Sequence, residues 1–406
     1  MPDHLLPARI IVTCGKRLGP WLEQEIVALG FKPKRTFSTG VELRGTLADC
    51  VQLNLKLRCA SQVLYSIQEF FVDGPEALYT RIVRFPWEQW IAPDGYFSVT
   101  SNVHHPTINN ELFVNVRIKD AIADRMRQSC GRRPDSGAEL RGLVVHLYWS
   151  GDGAELFIDT SGETLAKHGY RKIPGKAPML EALAAATVYA TKWDPSTAFL
   201  NPMCGSGTLA IEAALIASNR YPGLFRNNYS FMHILGFDRS IYDAARSALN
   251  QSITQSDAQV VASDISADAI MISKANATTA GVAELIQFVQ CPFEATPVPE
   301  NKGVVIFNPE YGERLGDEER LNKTYAEIGD FLKKSMKGYR GYIFTGNMEL
   351  AKKVGLRASR RTEFFNGTID CRLLEYELYE GTRRKFNPEP SAQDSQTPSR
   401  PPLPDQ

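Results

Sequence analysis

The stretch Thr197-Ala198-Phe199-Leu200-Asn201-Pro202-Met203-Cys204-Gly205-Ser206-Gly207-Thr208 decides how the rest of the chain is read. Apolar residues up to Leu200 predict a short buried strand, and Leu209 to Ala217 predicts an Ala-rich helix. A Gly-x-Gly turn joins them. Strand, turn and helix together bring bare backbone N–H groups and a helix N-terminus to the carboxyl end of a parallel sheet, where nucleotide-like cofactors sit in doubly wound folds. No Lys follows the second glycine, which argues against a Walker-type phosphate cradle, and the third glycine of the dinucleotide fingerprint is missing.

A lone Gly-x-Gly is equally compatible with an ordinary tight turn, and a second stretch breaks the tie. Gly303 to Phe307 predicts another buried strand, which runs into Asn308-Pro309-Glu310-Tyr311 and on to Leu315. Asn-Pro-x-Tyr at a strand end resembles the target-amine site of S-adenosylmethionine-dependent methyltransferases that act on exocyclic amines of bases. A plain turn at Asn308-Pro309 and a core ring at Tyr311 are the competing structural accounts.

Working outward, 406 residues allow two or three domains and an ample core. Lys+Arg and Asp+Glu both number 46, so net charge is zero and any nucleic-acid partner must be argued from local clusters. Seven scattered cysteines contain no Cys-x-x-Cys pair, which argues against a structural zinc and fits a reducing compartment. Six histidines, His104-His105 among them, show no ligand spacing, and no metal is expected. With no basic-then-apolar leader and no apolar run of about 18 residues, a soluble cytoplasmic protein is expected.

Ahead of the central stretch, Arg9–Cys14 predicts a strand, Pro20–Gly30 an amphipathic helix, Val41–Gly45 a strand and Ala48–Ala60 a second helix, together a small α+β module. A second α+β unit follows, with a strand at Tyr96–Thr100, a helix at Asn110–Gln128, and two strands pairing across Ser150-Gly151-Asp152-Gly153. Basic residues gather here: Lys119, Arg125, Arg127, Arg132 and Arg133, then Lys167, Arg171, Lys172 and Lys176. A solvated face is the plainer account of them; beside a base-modifying site they are read as phosphate contacts. An aromatic-rich insertion at about 220–256 delays the strand Val260–Asp264. Asp264, ending that strand, is placed to accept the ribose hydroxyls of an adenosine, while Ser266 can cap the following helix. Leu321–Met336 predicts a helix, and Thr362–Tyr379 a closing hairpin around Asn366-Gly367. Beyond Asn387 the Pro/Ser/Gln/Asp-rich chain is expected to be a disordered tail.

Taken together, the chain resembles the bacterial large-subunit ribosomal RNA guanine N2-methyltransferases that carry a THUMP domain. The stretches that carry the likeness are Lys119-Asp120-Ala121-Ile122 with Gly131-Arg132-Arg133-Pro134, Asp159-Thr160-Ser161-Gly162 with His168-Gly169-Tyr170-Arg171, and Ala177-Pro178 with Glu181. Asn201–Thr208, Tyr221-Pro222-Gly223-Leu224 and Asn308–Leu315 complete the set. The fold implied is α/β: a Rossmann-like methyltransferase domain, mostly parallel with a closing antiparallel hairpin, preceded by α+β ferredoxin-like and THUMP domains. The corresponding division is 1–64 (ferredoxin-like module), 65–172 (THUMP, RNA-binding), 173–386 (methyltransferase) and 387–406 (tail).

The resemblance implies S-adenosylmethionine as cofactor, held by Glu181, Asn201, Pro202, Cys204, Gly205, Gly207, Asp264, Ile265, Cys291 and Pro292. It also implies catalysis by Asn308, Pro309 and Tyr311, and RNA contact by Lys119, Arg125, Arg132, Arg133 and Arg171. Ribosomal RNA is the expected partner, with transfer RNA as the neighbouring possibility. Three positions depart from the family pattern: Asn201 replaces an Asp, Cys291-Pro292 lacks the expected adenine-binding Asp, and Glu310 replaces a Pro, which should relax the backbone and bring a negative charge into the pocket. These departures motivate an alternative, a catalytically weakened RNA-binding protein. Adenine-specific DNA methylation is a third reading, against which the THUMP-like half argues.

Overall fold

The computed structural model describes residues 6–106, 108, 110–173, 179–311 and 318–379. Lys176, Ala177-Pro178, Gly312–Leu315 and the C-terminal tail lie outside the described residues.

The first 160 residues build one eight-stranded sheet. Its strands are β1 (Ala8–Cys14), β2 (Arg35–Phe37), β3 (Gly40–Gly45), β4 (Ala60–Phe71), β5 (Tyr96–His104), β6 (Asp135–Ser136), β7 (Leu143–Ser150) and β8 (Gly153–Asp159), in the order β2-β3-β1-β4-β8-β7-β5-β6. Helices α1 (Gly19–Ala28), α2 (Leu47–Lys56), α3 (Pro75–Arg84) and α4 (Glu111–Cys130) complete this half. The two α+β units expected from the sequence therefore share a sheet. The twelve-residue β4 joins them, pairing with β1 through Ala60–Tyr65 and with β8 through Leu64–Phe71, so the position between 64 and 65 falls inside a strand. The helix expected over Ala48–Ala60 stops at Lys56, because the N–H groups of Arg58 and Cys59 turn away to the buried Glu25 carboxylate and Ala60 opens β4. As expected, β7 and β8 form an antiparallel hairpin.

The second sheet has seven strands: β9 (Phe199–Pro202), β10 (Val260–Asp264), β11 (Ile286–Gln290), β12 (Val304–Phe307), β13 (Arg340–Thr345), β14 (Arg360–Asn366) and β15 (Ile369–Glu377). Their order is β11-β10-β9-β12-β13-β15-β14, parallel from β11 to β13, with β14–β15 as the closing antiparallel hairpin. Residues alternate between its faces, as period-two strands require: Phe199 and Ile306 join one buried cluster, Leu200, Val305 and Phe307 the other. Helices α5 (Glu181–Thr191), α6 (Thr208–Ala217), α7 (Arg239–Gln251), α8 (Ala267–Thr279), α9 (Glu318–Ser335) and α10 (Met348–Lys353) belong to this half. The fully buried Ala184, Ala185 and Ala186 of α5 and Ala210, Ala213 and Ala214 of α6 leave room for close helix packing. Strand order reverses between β9 and β12, and at that switch point two neighbouring loops leave in opposite directions and open a crevice at the carboxyl edge.

Buried charged and polar groups hold the two halves together. His168 is fully buried, its Nδ1 2.7 Å from Glu212 Oε1 on α6 and its Nε2 2.8 Å from the Arg58 carbonyl. Tyr170 donates to the same Glu212 oxygen at 2.8 Å. Burial works against a charged imidazole, yet the Glu212 carboxylate outweighs it and holds His168 above its ordinary range.

Candidate active site

The central stretch leaves β9 at Asn201-Pro202 and turns through Met203, Gly205 and Gly207, all at positive φ (54°, 56° and 79°), before Thr208 starts α6. The two glycines are required for different reasons. A Cβ on Gly207 would lie 2.4 Å from Ser273 Oγ of α8, so the turn is wedged against that helix; a Cβ on Gly205 would meet nothing within 4 Å, so this residue borders open space. Ser273 donates to the Gly205 carbonyl at 3.1 Å, and the Gly205 N–H donates to Asp264 Oδ2 at 3.0 Å. Asp264 Oδ1 takes the Ser266 N–H at 2.9 Å, while the Ser266 side chain accepts from Ala269 and caps α8. Asp264 thus braces the turn from the end of β10 and retains lone pairs on both oxygens. Beside it Ile265 is 72% exposed. The Cys291 N–H donates to the Asp264 carbonyl at 3.0 Å, placing Cys291-Pro292 at the same edge.

Across the switch point the two asparagines are neighbours. Asn201 is buried, and its Nδ2 donates to the Ile306 carbonyl of β12 at 3.1 Å, which leaves Oδ1 buried with no partner. An ionised Asp could not make that donation, so the amide adds a side-chain hydrogen bond to this β9–β12 pair. Two residues past Ile306, Asn308 likewise has a buried Oδ1 without a hydrogen-bond partner among the described residues, and Pro309 is buried beside it. Glu181, at the start of α5, is a third such acceptor; its Oε2 has no hydrogen bond and lies 3.6 Å from Arg171 Nη2. Burial pushes this carboxyl up against the pull of Arg171. Other buried acceptors in the chain, such as Asn54 Oδ1 and Glu212 Oε2, also have no partner among the described residues, and those of Asn201, Asn308 and Glu181 are set apart by their place at the carboxyl edge. Tyr311 is half-buried, with its hydroxyl 2.8 Å from Asn366 Nδ2 on the closing hairpin, and burial pushes it up to about 12.

The structure brings together Glu181, Asn201, Pro202, Cys204, Gly205, Gly207, Asp264, Ile265, Cys291, Pro292, Asn308, Pro309 and Tyr311 at one carboxyl edge. Three expectations need correction. Arg171, taken for a phosphate contact, is only 10% exposed and instead faces Glu181 and donates to the Met179 carbonyl and, at 2.9 Å, to Thr208 Oγ1. Arg125 grips Glu88 with both its Nε and Nη2, so its charge is already answered. Glu310 does not carry its charge into the pocket: its side chain is 71% exposed and pairs with Arg320 at 2.8 Å. Arg132 and Arg133 are exposed and Lys119 is half-buried on the first half. Among the described residues no group of three His, Cys, Asp or Glu is placed to hold a metal ion, and no helix is long and apolar enough to cross a membrane.

Residues the sequence reading passed over are Ser273 and Asn276, one turn apart on the inner side of α8. Asn276 donates to the carbonyls of Ser206 and Ile173 and accepts from the N–H groups of Lys172 and Ile173, tying the segment after Arg171 to the glycine turn. A spacing of three along one helix is the only local signal of this pair, and it is shared by every helix surface.

A family model described as the RMKL-like methyltransferase domain matches residues 168–375, more than half of the chain. The chain belongs to this methyltransferase family. An RlmL ferredoxin-like domain matches residues 9–64 and a THUMP domain residues 75–159. A ribosomal RNA large subunit methyltransferase K/L of Syntrophotalea carbinolica is 34% identical over 386 residues, covering 92% of this chain and 54% of that protein. The chain spans about half the length of the curated K/L relatives it matches. A Synechocystis sp. protein, provisionally named RNA methyltransferase slr0064, is 31% identical over 88% of this chain and 93% of its own length. Among solved structures, SMU.472, a provisionally named methyltransferase complexed with SAH, has a TM-score of 0.82 and 25% identity, covering 93% of this chain and 99% of its own. A Listeria monocytogenes protein described as a predicted N6-adenine-specific DNA methylase has a TM-score of 0.83 and 30% identity, covering 92% of this chain and 97% of its own. The family and its fold are therefore those the sequence resemblance implied.

Proposed function

We propose that this chain uses S-adenosylmethionine to methylate the exocyclic N2 amine of a guanine in RNA, with large-subunit (23S) ribosomal RNA as the substrate. The observation that carries the reading is the partnerless buried Asn308 Oδ1, one strand away from the partnerless Asn201 Oδ1 beside the glycine turn. S-adenosylmethionine fits these residues: its ammonium, ribose hydroxyls and adenine amine are all donors, and the edge offers Asn201 Oδ1, Asp264 and Glu181 as acceptors next to the open space at Gly205. Bound there, it supplies a methyl group activated by the positive sulfur.

The protein's own task is positioning and electrostatics. Asn308 Oδ1 and the Pro309 carbonyl accept the two hydrogens of the guanine amine, which otherwise shares its lone pair with the ring, and so free that pair to point into the crevice. Tyr311 supplies a flat surface for the base, which must leave its helix to arrive there. Arg171 holds Glu181 in place from behind, and Asn201 contributes a neutral oxygen where an Asp would add charge. The exposed Arg132 and Arg133, with Lys119, furnish phosphate contacts at a distance.

The test is transfer of labelled methyl from S-adenosylmethionine to 23S ribosomal RNA from cells lacking the modification, followed by digestion and identification of the nucleoside. N2-methylguanosine is the expected product. Label appearing only in transfer RNA, or only as N6-methyladenine in DNA, overturns the substrate; cofactor binding with no transfer to any of these overturns the enzyme. The weakened-protein alternative rests on Asn201, Cys291 and Glu310; against it stand the exposed pairing of Glu310 with Arg320 and the hydrogen bond from Asn201 to Ile306, while Cys291 still lacks a carboxylate for the adenine amine.

A further inference from the structure

Resting on the reading above, we propose that Asn366 of the closing hairpin is a positioning residue, which sets the Tyr311 ring at the angle the target base must meet. Tyr311 is separated from Asn366 by 55 residues, yet the Asn366 amide N–H donates to the Tyr311 hydroxyl at 2.8 Å. The Cys371 thiol, on the other strand of the hairpin, lies 3.9 Å from the same oxygen. The side of the ring is fixed as well. Gly346, just after β13, has no side chain, and a Cβ there would sit 3.1 Å from both Cδ2 and Cε2 of Tyr311 and 2.6 Å from Ile369 Cγ2. A ring held at its hydroxyl and along one edge has few ways left to tilt, so a platform for a base is ordered before the base arrives.

The anchor itself is rigid because the first half of the molecule braces it. Trp21 of α1 stacks on Phe364 with ring centres 6.2 Å apart and planes 22° from parallel. Lys16 Nζ lies 4.1 Å from the Phe365 ring centre, and Arg17 pairs with Glu363 at 2.9 Å and Asp370 at 3.2 Å. These contacts flank Asn366 on both sides, so the first half of the molecule braces the hairpin from which Asn366 reaches the target-amine motif.

The experiment is a double-mutant cycle of Asn366→Ala and Tyr311→Phe in the full chain. Phenylalanine keeps the ring and deletes only the acceptor, so it reports the same contact even should Asn366→Ala fold poorly. Each single variant is expected to lower kcat about tenfold, with KM for RNA and the Kd for S-adenosylmethionine unchanged, and the double variant is expected to fall no further. Losses that multiply in the double variant overturn the proposal, since Asn366 would then act independently of the hydroxyl. A second readout needs no turnover: with 3-fluorotyrosine incorporated at the 15 tyrosines, the fluorine line deleted by Tyr311→Phe is that of Tyr311. That line is expected to broaden or split in Asn366→Ala, and an unmoved line overturns the proposal. If the wild-type chain methylates no guanine, the substrate reading fails while the fluorine line still decides the role of Asn366.

Discussion

The start and the middle of one helix carry different polar designs. Near the glycine turn at the start of α6 are Asn201 and, just past the end of β12, Asn308, whose buried side-chain oxygens have no hydrogen-bond partner among the described residues. One turn further on, Glu212 of the same helix takes His168 and Tyr170 on one oxygen and ties the two halves together, while its other oxygen, also buried, has no hydrogen-bond partner among the described residues. A buried carboxylate paired with an imidazole confers shape, whereas unpaired acceptors at an open edge can receive a ligand's donors. Substitutions at the two places should therefore fail differently.

The largest effect is expected at the His168–Glu212 pair. His168→Ala leaves Glu212 buried without its cation and should cost about 3–5 kcal/mol, measured by urea denaturation. Because the folded-state pKa of His168 is raised, its contribution is fully present below the unfolded value and lost as pH rises through the folded one. The stability gap between wild type and His168→Ala should therefore narrow as pH rises above about 6.5 and on through the folded-state value. A gap that widens with pH would mean the imidazole is neutral. Next comes Asn308→Ala, expected to reduce methyl transfer by about 10²–10³-fold in single-turnover assays with unfolding little changed, since Asn308 Oδ1 has no hydrogen-bond partner to lose among the described residues. A stability loss there would erase the contrast.

Smaller effects sharpen the account of the turn. Gly207→Ala combines positive φ with the Ser273 clash and should cost about 1–3 kcal/mol and weaken cofactor binding, whereas Gly205→Ala, strained in φ alone, should cost about 1 kcal/mol by thermal unfolding. Equal losses would show that the wedge against α8 carries nothing. The smallest change is Glu310→Gln, which removes an exposed pair with Arg320; stability should move by less than about 0.5 kcal/mol and turnover by less than about twofold. A large gain in turnover would restore the idea of an acidic residue impairing the pocket.

What could be read in advance follows a pattern. The Gly-x-Gly turn, the Asn-Pro-x-Tyr strand end, Asp264 and the Asn366-Gly367 hairpin were all legible, because each is a local backbone requirement written in neighbouring residues. Arg171 was misread for the opposite reason: its charge is visible in the sequence, but its burial against Glu181 and Thr208 depends on residues 10 and 37 positions away. Arg125 met the same fate through Glu88, and Glu310 through Arg320. Nor does strand alternation in β4 announce that its two halves serve two units, since a strand shows which faces are buried and not which strands lie at its edges.

The amino-acid sequence alone determined the elements, the position of the cofactor turn and the residues offered at two strand ends, because turn conformations and hydrophobic periodicity act over a few residues. Only the tertiary structure decided which polar groups are already partnered and which are left for a ligand. Hydrogen bonds and ion pairs are settled by distances of about 3 Å between atoms far apart in the chain, and chain order does not fix those distances.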